Sequence, residues 1–168
     1  IKKWEINKLF YTNYDTLKII GGTKRKSKHD VAPRLLIRRT GDYLCCSLLK
    51  KPALTESTLY SCWSILTEFE NTFLLGVLNS KLLTYYIRQS MITNQQAFPQ
   101  ILMTDLETLP IATATPPERS IISNLVDYIL FLKETDAAEQ VNEYVPNSHL
   151  VEQFEEVIDA LLYELSFE

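Results

Sequence analysis

The sequence predicts an α+β fold: a small, mostly antiparallel sheet with a long helix, followed by a C-terminal helical pair. Three observations carry this. Short runs rich in aliphatic, aromatic and Ser/Thr residues, separated by turn residues, occupy the first 66 positions. An apolar spacing of three and four residues begins after Asn71. Two more runs with helical spacing follow Thr115 and Ser148. With 168 residues, 46% apolar and 11% aromatic, the chain can bury one sizeable core. A disordered tail, a collagen-like fibre and a disulfide miniprotein are excluded. The longest apolar runs are short, such as Phe73–Leu78 and Tyr128–Leu132. A membrane-spanning helix needs about 20 such residues, so no membrane partner is expected. No secretory leader is visible, and a start at Ile1 reads as a piece of something longer.

The elements follow in order. Residues 1–14 mix basic and aromatic side chains with partial alternation, an irregular or strand-like lead-in. Leu17 to Ile20 reads as a short strand ended by Gly21-Gly22. Lys24 to His29 reads as an exposed basic loop closed by Pro33. Leu35–Arg39 and Tyr43–Leu49 form a hairpin across Thr40-Gly41-Asp42, and Ser57–Leu66 adds a third strand. Asn71 is placed to cap one helix running to about Gln89, with Leu74, Leu78, Leu82 and Tyr85 as its core stripe. Gly76 inside that helix costs about 1 kcal/mol relative to Ala, which points to a close backbone approach. Residues 90–100 read as a loop, and Leu106–Ile111 as a short strand interrupted by Pro110.

Thr115-Pro116-Pro117-Glu118 has the form of a capping box with Pro at N1. It starts a helix to about Lys133 with Ile121, Leu125, Tyr128 and Leu132 on one face. Residues 134–146 are a polar, acidic linker. The last helix, about Ser148 to Leu165, spaces Val151, Phe154, Ile158, Leu161 and Leu165 by 3, 4, 3 and 4. That is a coiled-coil-like seam about two heptads long; ordinary packing on the preceding helix is the favoured alternative. The chain divides into a core over 1–112 and a helical pair over 113–168 packed on it as one compact unit.

Charge is uneven. Residues 1–51 hold 13 Lys/Arg against 4 Asp/Glu, and residues 52–168 hold 4 against 17. A basic first third on an acidic body suggests a surface for a polyanion, with a solvated surface as the equal alternative. Cys45, Cys46 and Cys62 are odd in number and form no C-x-x-C pair, so buried thiols in a reducing cytosol are expected. His29 and His149 read as surface residues.

Motifs for catalysis are missing. The sequence has no H-E-x-x-H, no Cys/His metal spacing, no G-x-G-x-x-G and no complete phosphate loop around Gly21. It has neither the E-x-K spacing of metal-dependent nucleases nor an Asn-Pro-Pro-Tyr-like methyl-transfer loop. No catalytic residue and no metal ligand is assigned, and binding is the economical reading.

Several stretches carry a family resemblance. Phe73-Leu74-Leu75-Gly76-Val77-Leu78-Asn79-Ser80-Lys81-Leu82-Leu83 resembles the "LLGiLNSkL" helix of TaqI-like C-terminal specificity domains. Leu106 to Ile111 resembles the family's "L..LPI" segment, Pro33 to Arg39 its "pKilirr" strand, and Ile158 to Leu165 its "ID.lvyeLy" close. The Ser166-Phe167-Glu168 end departs from it. The resemblance implies a DNA target-recognition domain, related in fold to type I specificity subunits. It implies a bacterial, cytoplasmic type II restriction–modification enzyme with an N-terminal adenine methyltransferase domain using S-adenosylmethionine. A nuclease and Mg would belong to the parent chain as well. This fragment is then not itself an enzyme, and its partners are double-stranded DNA and that methyltransferase domain. The alternative is a specificity module acting through protein contacts with separate methyltransferase subunits.

A DNA-reading module needs cations for phosphates and amides, guanidiniums and aromatics for base edges. The candidate cations are Lys24, Arg25, Lys26, Lys28, Arg34, Arg38, Arg39, Lys50 and Lys51. The candidate amides are Asn94, Gln95 and Gln96, with Tyr86 and Arg88 just before them.

Overall fold

The computed structural model describes residues 1–6, 25–66, 70–90, 99–135, 141 and 144–167. The expected strand at 17–20, the Gly-Gly turn, most of the 90–100 loop and most of the acidic linker lie outside these residues. The expected α+β class is what the chain adopts. A three-stranded antiparallel sheet has β1 (Arg34–Arg38) at its centre, flanked by β2 (Cys46–Leu49) and β3 (Leu59–Cys62). The register pairs Ile37 with Cys46 and Leu35 with Cys62. The hairpin turns at Gly41, whose φ of +127° is a conformation that suits glycine. A one-turn helix, α1 (Lys26–His29), precedes the sheet where an exposed loop was expected, and His29 is buried rather than on the surface.

The long helix expected over 71–89 is two helices, α2 (Asn71–Leu78) and α3 (Lys81–Ser90), broken at Asn79-Ser80. The break has local chemistry. The Ser80 hydroxyl accepts the Leu83 amide at 3.2 Å and so caps α3. Asn79 turns away from both helices, and its carboxamide accepts the Cys46 amide at 3.0 Å and donates to the Cys46 carbonyl at 3.1 Å. A buried side chain thus fills the outer edge of β2, which would otherwise present unpaired backbone groups. The Trp4 amide reaches the same carbonyl at 2.9 Å. Asn71 does not cap α2; its side chain accepts from the Ser64 amide and donates to the Pro33 carbonyl.

One face of the sheet, with Leu35, Ile37 and Cys46, packs on α2. The opposite side of α2 meets α5 (Pro116–Glu134), which packs on α6 (Asn147–Phe167). A Cβ on Gly76 would lie 3.0 Å from Cγ2 of Ile122 and of Val126, so this glycine is the site of close helix contact anticipated above. The buried face of α5 is rotated from the expected stripe, of which Leu132 is buried and Leu125 partly buried. Ile122, Val126 and Ile129 are buried, while Ile121 and Tyr128 are exposed. On α6 the seam residues Val151 and Ile158 are buried against the preceding helices, as in ordinary core packing, with Leu162 in addition.

Two further elements differ from expectation. Residues 106–111 contain no strand; α4 (Met103–Glu107) forms instead, with Asp105 accepting the Leu102 amide at 2.8 Å. At the start of α5, Glu118 accepts from both the amide and the hydroxyl of Thr115, each at 2.6 Å. The expected capping box is present, and the Thr115 hydroxyl in addition donates to Glu118. Cys45 and Cys46 are buried free thiols and Cys62 is half-buried, its pKa pushed up to about 11 by burial.

The break and the helix contact should separate in a urea titration. Asn79→Ala strips both edge bonds from Cys46 and should cost roughly 2–4 kcal/mol, since each buried partner lost costs about 1–3. Gly76→Ala gains up to about 1 kcal/mol of helix propensity but overpacks two stiff β-branched side chains at roughly 1–3 kcal/mol. A lowered denaturation midpoint is expected for both, smaller for Gly76→Ala.

Candidate nucleic-acid interface

The cations expected to form one surface are divided between the two ends of the sheet. At the end where β1 begins lie Arg25, Lys26, Lys28, Arg34, Lys50 and Lys51. At the other end lie Arg38, Arg39 and, brought in by α3, Arg88. A β1 of five residues separates them by about 15 Å at ~3.4 Å per residue. Lys24 and the amides Asn94, Gln95 and Gln96 lie outside the described residues.

Arg34 is taken out of the interface by its position. It is fully buried, and its Nη1 donates to the carbonyls of Lys28 at 3.0 Å, His29 at 2.7 Å and Val31 at 3.1 Å. Its Nη2 donates to the Ala53 carbonyl. Burial pushes the guanidinium's pKa down, and the charge of Asp30 opposes that. The side chain gathers the backbone around α1 and the loop after β2; a phosphate would have to displace all of it. Lys50 is exposed but ion-paired with Glu134 at 2.6 Å, at the end of α5. Arg25, Lys26, Lys28 and Lys51 are exposed around it.

The Arg38 end is more ordered. Arg38 and Arg39 are consecutive in extended chain, so they depart to opposite sides. Arg38 lies over the Tyr43 ring at 5.1 Å and Arg39 over the Tyr60 ring at 4.9 Å. Each is also anchored to backbone: Arg38 Nε donates to the Thr40 carbonyl and Arg39 Nη1 to the Ser57 carbonyl, both at 2.8 Å. Burial opposes the Arg38 charge, but a hydrogen bond with Tyr43 and the nearby Cys45, Tyr43 and Asp42 outweigh it and push its pKa up. Two planar cations stacked on aromatics and held at a strand end have less freedom to lose than lysines in a loop.

The turn between the strands is held from outside the sheet. The Gly41 amide donates to the Pro99 carbonyl at 2.9 Å, and the Ile101 amide to the Arg39 carbonyl at 2.8 Å. Arg88 Nη2 pairs with the Asp42 carboxylate at 2.8 Å, while its Nε donates to the Asp42 carbonyl at 3.3 Å. The described residues on both sides of the 91–98 segment are thus tied to the same turn. Tyr86 is half-buried on α3. Tyr85, read as part of the core stripe, is exposed; Leu83 and Ile87 are the buried residues of that helix.

The sheet, its turn and α2–α4 fall within residues 1–111, and it is over these residues that the chain matches the TaqI-like C-terminal specificity domain. The chain belongs to that family. No curated protein matches it. As a specificity domain it recognises DNA sequence in a restriction–modification setting and is not itself catalytic. The match takes in the residues before Pro33 and stops short of α5, so the motif at 158–165 lies outside it. The family's helix motif has a physical reading in this fold. Gly76 admits α5, Asn79 fills the β2 edge and Ser80 caps α3.

The carboxylates of α6 are partly structural. Asp159 accepts the Lys81 amide at 2.8 Å and so adds a second cap to α3. Glu155 receives the Trp4 indole and pairs with Lys3 at 3.1 Å. No local pattern marks these roles, because each partner is more than 75 residues away. Among the described residues no group of three or more His, Cys, Asp or Glu comes together to hold a metal. Likewise, no described helix is long and apolar enough to cross a membrane.

Arg34→Met tests the structural assignment. The carbonyls of Lys28, His29, Val31 and Ala53 lose a buried donor, and several kcal/mol of stability should go with it, at about 1–3 per unsatisfied group. Thermal melting should show the loss. Arg39→Met, on an exposed anchor to one carbonyl, should leave the melting temperature nearly unchanged.

Proposed function

We propose that this chain gives target-site choice to an adenine methyltransferase of a type II restriction–modification enzyme. In this reading the methyltransferase domain belongs to the same parent chain and draws on S-adenosylmethionine, with or without an Mg-dependent nuclease. The bacterial cytoplasm is the setting. Residues 1–112 read the DNA, and 113–168 scaffold them.

The observation that supports this reading best is the tyrosine-backed pair Arg38 and Arg39 at the turn end of the sheet. Base edges demand donors in a fixed register, and a bidentate arginine supplies about 1–3 kcal/mol of discrimination. Phosphates tolerate mobile point charges. Arg25, Lys26, Lys28 and Lys51 suit that role, about 15 Å away, a distance comparable to the ~12 Å width of a major groove. The acidic balance of residues 113–168, 2 Lys/Arg against 12 Asp/Glu, argues for keeping these helices off the DNA.

A second reading has support in the same helices. Ile121, Tyr128, Phe131 and Tyr163 are exposed, an unusual apolar display on a pair otherwise so acidic. If the domain serves separate methyltransferase subunits, this is the face to carry the contact.

Binding to cognate and scrambled duplexes at several salt concentrations tests the assignment. Exchanging Lys26 and Lys28 for Gln should weaken binding to all DNA alike and flatten the salt slope by about 1 per lost phosphate contact. Changing Arg38 or Gln95 should reduce preference for the cognate site. Loss of site preference from the lysine changes, with none from Arg38 or Gln95, would reverse the division of roles.

A further inference from the structure

Arg88 falls within the set of cations a DNA-binding reading collects, yet its guanidinium, though exposed, is engaged by the protein itself. It grips both the side chain and the backbone carbonyl of Asp42. Asp42 stands between Gly41 and Tyr43, the two residues that frame the Arg38 guanidinium. A Cβ on Gly41 would come within 3.0 Å of Arg38 Nη2, and the Tyr43 ring stacks on Arg38. Thr40, one residue earlier, accepts the Arg38 Nε hydrogen bond. Every described contact that orients Arg38 therefore comes from the turn over residues 40–43, and Arg88 joins the apex of that turn to α3.

We infer that Arg88 and Asp42 form a positioning clamp that sets the base-reading geometry of Arg38 without touching DNA. The inference rests on the assignment of Arg38 to base reading. Two hydrogen bonds from one guanidinium to one residue fix a direction as well as a distance, which a single surface ion pair does not. A clamp of this kind governs discrimination more than affinity. A turn that drifts costs the base contact its register but leaves the phosphate contacts alone.

The sign of the electrostatics makes the inference easy to separate from a direct role. Asp42→Asn removes a negative charge beside Arg38 and Arg88. By charge alone it should strengthen binding to every DNA. By loosening the clamp it should instead relax sequence preference.

Selection from a pool of random duplexes reads out both. The full chain, Arg38→Ala, Asp42→Asn and the double variant are compared, with the salt slope measured on one scrambled duplex. Arg38→Ala should relax preference at one or two base positions. Asp42→Asn should relax the same positions by roughly three- to tenfold, with an unchanged salt slope. In the Arg38→Ala background Asp42→Asn should add nothing, because residues that act through one another are not additive. Asp42→Asn variants that keep full preference at the Arg38 positions, or relax other positions, overturn the clamp. An Arg38→Ala chain that relaxes nowhere overturns the base-reading assignment itself, a separate failure.

Discussion

The two hydrogen bonds between the Asn79 carboxamide and the backbone of Cys46 join the two halves of this fold. A three-stranded sheet has two edges, and an open edge is a site for unwanted pairing. Here the β2 edge is closed by a side chain that imitates a neighbouring strand. The Asn79 backbone still closes α2, its amide donating to the Leu75 carbonyl at 3.1 Å, while its side chain serves the sheet edge. Ser80 then restarts the helix by capping α3, and Asp159 from α6 caps it again. The direction of α3 follows, and with it the place where Arg88 meets the sheet turn.

The same junction explains the order of layers. α2 must lie flat on the sheet for Asn79 to reach Cys46, so its far side has to accept α5. Gly76 makes that possible, with Ile122 and Val126 against its bare backbone. The choice of face on α5 is settled there. Its sequence has apolar residues at both 121, 125, 128, 132 and 122, 126, 129, 130, two overlapping helical stripes. Periodicity finds the helix from either stripe and cannot choose between them. The glycine on α2 chooses, because only the second stripe brings Ile122 and Val126 to it.

Legibility in the sequence follows the range of the interaction. The hairpin, the capping sequence before α5 and the last two helices are local patterns, and they were readable. The helix break was hidden because Asn79 acts through a strand 33 residues earlier. α4 was hidden behind a Leu at its N-cap, with only Asp105 at N3 to mark it. Arg34 misled for a related reason. Composition counts it as a surface cation, while four carbonyls, including one 19 residues away, draw it inside. The charge asymmetry was legible as a number, but its division between two ends of a sheet depends on strand direction and pairing.

That division matters for how the domain could read DNA. Cations distributed evenly would bind the duplex in many registers, since phosphates repeat along it. Here the exposed cations around α1 sit at one end of the sheet and the backed arginines at the other. Stacking on Tyr43 and Tyr60 removes side-chain freedom, so on the proposed reading less is lost when a base contact forms. The lysines gain little from such restraint, and α1 and the loop after β2 leave them exposed. The sheet between them is short, and Arg34 ties α1 and the loop after β2 to one end of its central strand, which keeps the two groups apart. On the proposed division of roles, a fixed separation would turn non-specific attraction at one end into a register constraint at the other. By that route a domain with no catalytic group of its own can set where chemistry happens.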